Sequence, residues 1–344
     1  MLRHRTGRLT LAALGCAALT GAVVAQPVTA GAASSTAQAE VFSINPVQST
    51  GDENLTDQKD SATAVPDEAY VPVTLTNLDG SGYLSGDWAN VRSETGDRAY
   101  SAEGSFVYDR ADDRFEQVMA YYWVTQAQLY LQSLGFGTEL PAVNKESQDV
   151  RINQWGQDNS YSWDKHDVIR LGKGGVDDAE DGEVIVHEYG HAVHDAQVAG
   201  FGSSLDAGAI GEAFGDYLAV TVGLAVAGDP APGVPAACVM DWDATSYTST
   251  VPHCLRRVDL DLTVADRRDR VHFDGQIWSR ALWDIRAALG ATTADRIIVN
   301  AQFGFAPDTS FAAAAQQTVA TAEQMYGRAE ARVVTQAFAD RGIL

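Results

Sequence analysis

The sequence is poor in cysteine and in basic residues, and it lacks several motifs that would mark other classes of protein. It has 3 Cys, and 24 Lys and Arg stand against 46 Asp and Glu, a formal net charge of −22. A surface this acidic argues against nucleic acid and anionic membranes as partners. There is no internal repeat, no long linker and no glycine-rich phosphate-binding motif. What is present, 45% hydrophobic residues and a mean hydropathy of −0.15, is typical of a soluble globular protein with a sizeable core.

The N-terminus has the pattern of a secretory signal peptide. Three arginines precede an apolar run from Leu9 to Ala25, and small-residue sites follow at 30–32. We therefore predict that residues 1–33 are a leader and that the protein is secreted. An N-terminal membrane anchor is the alternative that the length of the run permits.

The two cysteines outside this leader are sixteen residues apart, at Cys238 and Cys254. In an oxidising compartment they are expected to form one disulfide, which would contribute about 3 kcal/mol by closing a loop of that size. Two buried thiols are the alternative.

Hydrophobic periodicity predicts an α+β protein with a mixed front part and a helical back part. Residues 34–114 are polar and indicate loops with a few strands. Residues 115–199 begin with a helix that ends at Gly135, continue through a strand at 167–171, and end in a helix over 178–198 with Asp177 and Asp178 at its N-cap. Residues 200–344 are rich in alanine and predict helices over 208–227 and 276–289 and one or two more over 311–338.

The helix over 178–198 contains His187-Glu188-Tyr189-Gly190-His191. A spacing of four places both imidazoles on one face, one turn apart, where two nitrogens can reach one zinc ion at about 2.0 to 2.1 Å. With only 7 His in the chain, chance seldom produces this pattern. His194, one turn further on, is interpreted as a neighbour of the site and not as a ligand.

The next helical segment supplies carboxylates. Glu212 is a candidate third zinc ligand. Asp216 lies one turn further on the same face, where it can accept a hydrogen bond from the other ring nitrogen of a zinc-bound histidine. A third histidine six residues after His191 is excluded, because Gln197 stands there.

Three motifs, at 187–195, 208–216 and 271–277, resemble those of the thermolysin-like and fungalysin-like zinc metalloproteases, the gluzincin group. The resemblance implies a two-lobed fold with one catalytic zinc between a mixed N-terminal lobe and a mainly helical C-terminal lobe. It also implies that Glu188 activates a water molecule and that His272 donates a hydrogen bond to the oxyanion. Asp266 and Asp269 are candidates for a carboxylate partner of His272.

The resemblance further implies substrate-binding residues. Asn159 and Ser160 lie where the family has a short edge motif, although an asparagine in a simple turn is equally consistent with the sequence. Arg256 resembles an arginine that supports the pocket after the scissile bond, with Arg257 as the competing choice. Two features depart from the family: the loop 200–206 has no tyrosine, and the apolar segment 220–227 lacks the acidic calcium cluster, so calcium binding stays open.

The resulting hypothesis is a secreted, monomeric zinc endopeptidase that acts on peptides and proteins. A zinc-containing relative that binds peptides without cleaving them is one alternative. The intact Glu188 argues against it, because a buried carboxylate is energetically unfavourable and binding alone does not require it. An aminopeptidase is the other alternative, and it would need an acidic anchor for a free amino terminus near the metal.

Overall fold

The computed structural model describes residues 35–93 and 96–344. The predicted signal peptide lies outside these residues. In chain order, the helices and strands are β1 (Ala37–Phe42), α1 (Pro46–Thr50), β2 (Tyr70–Leu75), β3 (Ala89–Ser93), β4 (Ser105–Phe106), α2 (Arg114–Ser133), β5 (Gln148–Ile152), β6 (Tyr161–Trp163), β7 (Val168–Arg170), α3 (Gly182–Gln197), α4 (Leu205–Val226), β8 (Cys238–Val239), β9 (Arg256–Arg257), α5 (Val271–Leu289), α6 (Ala291–Gln302), α7 (Phe311–Met325) and α8 (Arg328–Asp340). The predicted mixed front and helical back are confirmed.

Two sheets make up the front part. In the first, β1 pairs antiparallel with β2 and parallel with β4. In the second, the order is β3-β5-β7-β6, with β6 antiparallel to β7 and located at the edge. The pairing of β3 with β5 joins the segment 34–114 to the segment 115–199 through backbone hydrogen bonds.

Helix α2 packs against these sheets, as its apolar periodicity predicts. Phe115, Val118, Met119 and Trp123 are at most 1% exposed. Phe42 of β1 packs edge-on against Phe115, with ring centroids 4.7 Å apart. Burial of such large side chains, each contributing roughly 1.5 to 3 kcal/mol, explains why the helix forms here.

Helices α3 and α4 cross at two glycines. A Cβ added to Gly190 would lie 3.0 Å from the Cα of Gly215, and a Cβ added to Gly215 would lie 2.6 Å from Nδ1 of His187. At either distance, the added Cβ or the atom that it contacts would have to move. The two glycines therefore let the backbones approach and leave room for the imidazole of His187.

Helix α4 is the central helix of the back part. It is long and apolar enough to cross a membrane, but 78% of its most apolar window is buried inside the protein. Helix α5 packs against α4 and α8. This burial accounts for the hydropathy of α4 without a membrane.

The structure changes several boundaries. Asp177 and Asp178 do not cap α3: Asp178–Glu180 forms a short 3₁₀ turn, and the N-cap is Asp181, whose carboxylate accepts from the N–H of Glu183 at 2.9 Å. The segment 311–338 forms two helices, which is one of the two predicted alternatives. Helix α6 was not predicted, because its β-branched residues have low helix propensity and only its packing stabilises it.

The predicted disulfide between Cys238 and Cys254 is present. It closes the segment that runs from β8 to β9, where Cys238 pairs with Arg257 and Val239 pairs with Arg256. The link and the strand pairing together hold Arg256 next to α4.

Candidate metal centre

The structure brings the three predicted zinc ligands together. Nε2 of His187 lies 3.1 Å from Nε2 of His191 and 3.4 Å from Oε2 of Glu212. Nε2 of His191 lies 3.8 Å from Oε1 of Glu212. Helix α3 supplies both histidines from one face, and α4 supplies the glutamate across the glycine crossing.

These distances fit a tetrahedral zinc ion. Ligands at about 2.0 to 2.1 Å from a tetrahedral metal lie roughly 3.3 Å from one another, and the three pairs here span 3.1 to 3.8 Å. Two imidazoles and one carboxylate are also the donors that zinc takes in hydrolytic sites, with one position left open. The residues present therefore fit the metal.

Asp216 contacts the Nδ1 side of His187 and is itself bound by Arg256. Oδ1 of Asp216 lies 2.9 Å from Nδ1 of His187, and both carboxylate oxygens accept from Arg256 at 2.7 Å. Asp216 is 2% exposed. The contact at Nδ1 holds the ring in the orientation in which Nε2 faces the other two ligands.

The electrostatics of the metal-free site favour a cation. Burial alone would lower the pKa of His187, but hydrogen bonds to Asp216 and Glu212 raise it to about 10. Burial lowers the pKa of His191 to about 4, so this ring is neutral and offers a lone pair. Glu212 is desolvated, yet the adjacent histidines hold its pKa well below its usual range.

His194 is not one of the clustered ligands. Its ring stacks on Phe201 with centroids 4.0 Å apart and lies 5.0 Å from Phe214. Burial lowers its pKa to about 3, so the ring is neutral. It forms part of the aromatic wall beside the site.

Glu188 lies next to the ligands and is 6% exposed. Burial raises its pKa to about 7 against the opposing effect of His187, and the backbone N–H of Ser162 also stabilises its charged form. Among the described residues, Oε2 of Glu188 has no hydrogen-bond partner. One carboxylate oxygen is therefore available to a group in the cleft.

His272 reaches the site from the first turn of α5. Its side chain is 65% exposed, and Nε2 lies 3.3 Å from Oε2 of Glu212. Buried Asp274 accepts from the N–H of Arg268 at 2.8 Å and so holds the turn that precedes the helix. Among the described residues, no ion pair joins His272 to Asp266 or Asp269: Asp266 closes a capping box with Thr263, and Asp269 has a φ of 54° in the same connection.

An open cleft of about 360 Å³ contains these groups. Asn159 and Ser160 line it, although the hydroxyl of Ser160 is hydrogen-bonded to Asp178. Arg256 is not among the lining residues, because its guanidinium is held by Asp216 beneath the metal ligands. Arg257 is turned away and pairs with Asp259 at 2.7 Å.

Sequence reasoning missed other residues of the cleft. Tyr161, Ser162, Asp164, Asp195 and Phe201 also line it. Asp195 lies one turn after His191, so the helical spacing alone was a usable signal. The others lie in loops or in the short strand β6, where no periodicity indicates which side chains face the zinc helix.

Part of the chain is similar to a known protein family. Residues 199–343 match the family profile of the thermolysin metallopeptidase α-helical domain. This segment is thermolysin-like. The thermolysin-like fold extends beyond that domain: the precursor of protealysin, a metalloproteinase from Serratia proteamaculans, superposes with a TM-score of 0.55 over 76% of this chain and 90% of that chain.

Sequence identity to the protealysin precursor is 19%, so this likeness concerns the fold. No curated protein sequence matches the chain. The matched segment 199–343 contains Glu212, Asp216 and His272, whereas His187, Glu188 and His191 precede it.

Proposed function

We propose that this thermolysin-like protein is a secreted zinc-dependent endopeptidase. The observation that carries the proposal is the meeting of His187, His191 and Glu212 within ligand distance of one another, with Glu188 beside them in an open cleft. A zinc ion held there supplies a Lewis acid that polarises a peptide carbonyl and acidifies water.

Glu188 is placed to act as the general base. Its buried position raises its pKa to about 7, near the pH at which a base works best, and one of its oxygens is available in the cleft. It takes a proton from the attacking water and later gives it to the leaving amine.

His272 is placed to bind the oxyanion. Its ring projects into the cleft from α5, on the side of Glu212, and is sufficiently exposed to contact a substrate. Since the loop 200–206 has no tyrosine, this histidine carries more of that role. Donors of this kind act by stabilising charge that develops in the transition state.

The edge strand β6 supports an endopeptidase. It pairs only with β7 in the described sheet, which leaves its other edge open along the cleft. An extended peptide can add to such an edge through main-chain hydrogen bonds, and this mode accepts internal segments of a chain. Asn159, just before the strand, is the proposed side-chain contact to the substrate backbone.

An aminopeptidase is the second candidate, because Asp164 and Asp195 line the same cleft and offer negative charge to a free amino terminus. A zinc-containing protein that binds peptides without cleaving them is the third candidate. Mapping of products by mass spectrometry distinguishes the first two: internal cuts in a folded substrate support the endopeptidase, and stepwise loss of N-terminal residues supports the aminopeptidase.

The decisive experiment measures cleavage of casein and of a quenched peptide by the purified protein. We expect a zinc chelator to abolish cleavage and added zinc to restore it. Glu188→Gln should lose turnover while keeping one zinc by elemental analysis. Glu323→Gln, an exposed change remote from the cleft, is the matched control and should behave like the parent. Cleavage that survives the chelator, or normal turnover by Glu188→Gln, would contradict the proposal.

A further inference from the structure

Three carboxylates lie together outside the zinc site. One carboxylate oxygen from each of Asp158, Asp178 and Asp243 falls within 4.8 Å of the other two. Asp178 is 2% exposed and Asp243 is 4% exposed. The three come from separate parts of the chain: the segment between β5 and β6, the turn before α3, and the turn after β8.

Hydrogen bonds satisfy this cluster incompletely. Asp178 accepts from the hydroxyl of Ser160 and the N–H of Gly172. Oδ1 of Asp243 and Oδ1 of Asp158 are buried atoms without a hydrogen-bond partner among the described residues. A buried carboxylate oxygen without a donor is costly, and that cost falls when a cation binds it.

The surroundings do not neutralise the cluster. The main electrostatic influences on Asp243 are the other acids, Asp178, Asp158 and Asp181. Burial raises the pKa of all three residues, and the neighbouring carboxylates raise the pKa of Asp178 and Asp243 further, which means that the site resists three negative charges when no cation is present.

A second acidic cluster nearby differs in this respect. Asp181, Glu183 and Asp241 receive donors from the amide of Asn45, which reaches Asp241 at 2.5 Å, and from the N–H groups of Met240 and Asp243. The hydrogen bonds of the protein therefore satisfy most of this second cluster. Oδ2 of Asp241 is a buried oxygen without a hydrogen-bond partner among the described residues, whereas the first cluster has two such oxygens, on Asp158 and Asp243.

The ligand chemistry selects the ion. The cluster offers carboxylate oxygens and the adjacent hydroxyl of Ser160, and it has no histidine or cysteine. Calcium takes six to eight hard oxygen ligands in flexible geometry, whereas zinc prefers nitrogen and sulfur. We propose that Asp158, Asp178 and Asp243 form a calcium site that fastens the cleft-lining segment after β5 to the start of α3.

This placement gives the ion a structural role beside the cleft. Asp158 directly precedes Asn159 and Ser160, which line the cleft, and Asp178 begins the 3₁₀ turn before the zinc-binding helix. The backbone of Gly175 packs so closely on Asp158 that a Cβ there would lie 2.1 Å from Oδ2. The proposal concerns a bound cation and does not depend on the proposed peptidase activity.

Terbium luminescence tests the site, because Tb³⁺ replaces calcium and is sensitised by nearby aromatic rings. The hydroxyl of Tyr247 donates to the carbonyl of Asp158 at 2.6 Å, so its ring lies close enough to transfer excitation. With zinc-loaded, calcium-free protein, we expect one saturable Tb³⁺ site that Ca²⁺ displaces and that equal Mg²⁺ does not. Asp243→Asn and Asp158→Asn should each weaken binding at least tenfold, and Asp284→Asn, a partly exposed control on α5, should not.

Thermal unfolding and amide exchange supply an independent readout. Calcium should raise the melting temperature of the parent and slow amide exchange over 156–163, and both effects should vanish in Asp243→Asn. Without calcium, Asp243→Asn should melt above the parent because one repelling charge is gone. If that variant does not fold, the partly exposed Asp158→Asn gives the decision. Parent-like Tb³⁺ affinity in both variants, no saturable site in the parent, or loss of binding only in Asp241→Asn would overturn the proposal.

Discussion

The buried contact between Asp216 and the first zinc ligand gives the sharpest prediction. Changing Asp216 to Asn keeps the shape of the side chain but removes its charge and replaces one acceptor oxygen with a donor. The residue touches Nδ1 of His187 at 2.9 Å and holds Arg256 through two 2.7 Å hydrogen bonds. We therefore expect Asp216→Asn to lower both zinc affinity and stability.

The two losses have different sizes. Removal of a group that orients a metal-bound histidine costs 10- to 100-fold in affinity, which corresponds to about 1.4 to 2.8 kcal/mol. Breaking a buried ion pair costs roughly 3 to 5 kcal/mol, because the guanidinium of Arg256 is left uncompensated. The stability loss should thus exceed the loss in zinc binding energy.

Competition with a zinc-chelating dye measures the affinity, and urea unfolding of the zinc-free protein measures the stability. The double variant Asp216→Asn/Arg256→Met removes the unpaired cation, so it should recover much of the stability while zinc affinity stays low. Asp229→Asn, at an exposed position just after the same helix, is the control. If Asp216→Asn binds zinc within twofold of the parent, the supporting role of Asp216 is refuted.

Three further predictions follow from single features of the structure. His272→Phe should lower kcat about a hundredfold or more with little change in KM or zinc content, and an unchanged kcat would remove His272 from oxyanion binding. Arg110→Met should cost roughly 3 to 5 kcal/mol in urea unfolding, because Arg110 is fully buried and pairs with buried Glu180 at 2.7 Å; the double variant with Glu180→Gln should recover part of that loss. Replacing both Cys238 and Cys254 with serine should cost about 3 kcal/mol, and an unfolding free energy equal to that of the parent would contradict the expected effect of the link.

Local patterns in the sequence predicted much of the site. Helical spacing alone places His187 and His191 on one face, because side chains four residues apart share a face. The same rule puts Asp216 beside Glu212. The helix beginning near Phe115 and the pairing of the two cysteines were predicted for equally local reasons, composition and periodicity in one case and redox compartment in the other.

Several contacts between residues distant in sequence were not predicted. Arg256 was expected to support the pocket after the scissile bond, but the sequence did not predict that its strand pairs with β8 or that its guanidinium binds Asp216. The N-cap of α3 was expected at Asp177 or Asp178, yet Asp181 takes that place and Asp178 joins two carboxylates remote in sequence. Nothing near these residues in the chain indicates such partners.

The sequence by itself determined which atoms are available for chemistry and which of them share a helix face, since both depend on residues a few positions apart. Only the tertiary structure decided that Glu212 meets the two histidines, that His272 faces them from α5, and that three aspartates collect beside the cleft. Each of these meetings depends on how helices and loops pack. The crossing of α3 and α4 at Gly190 and Gly215 is the contact that sets the distance between the zinc ligands.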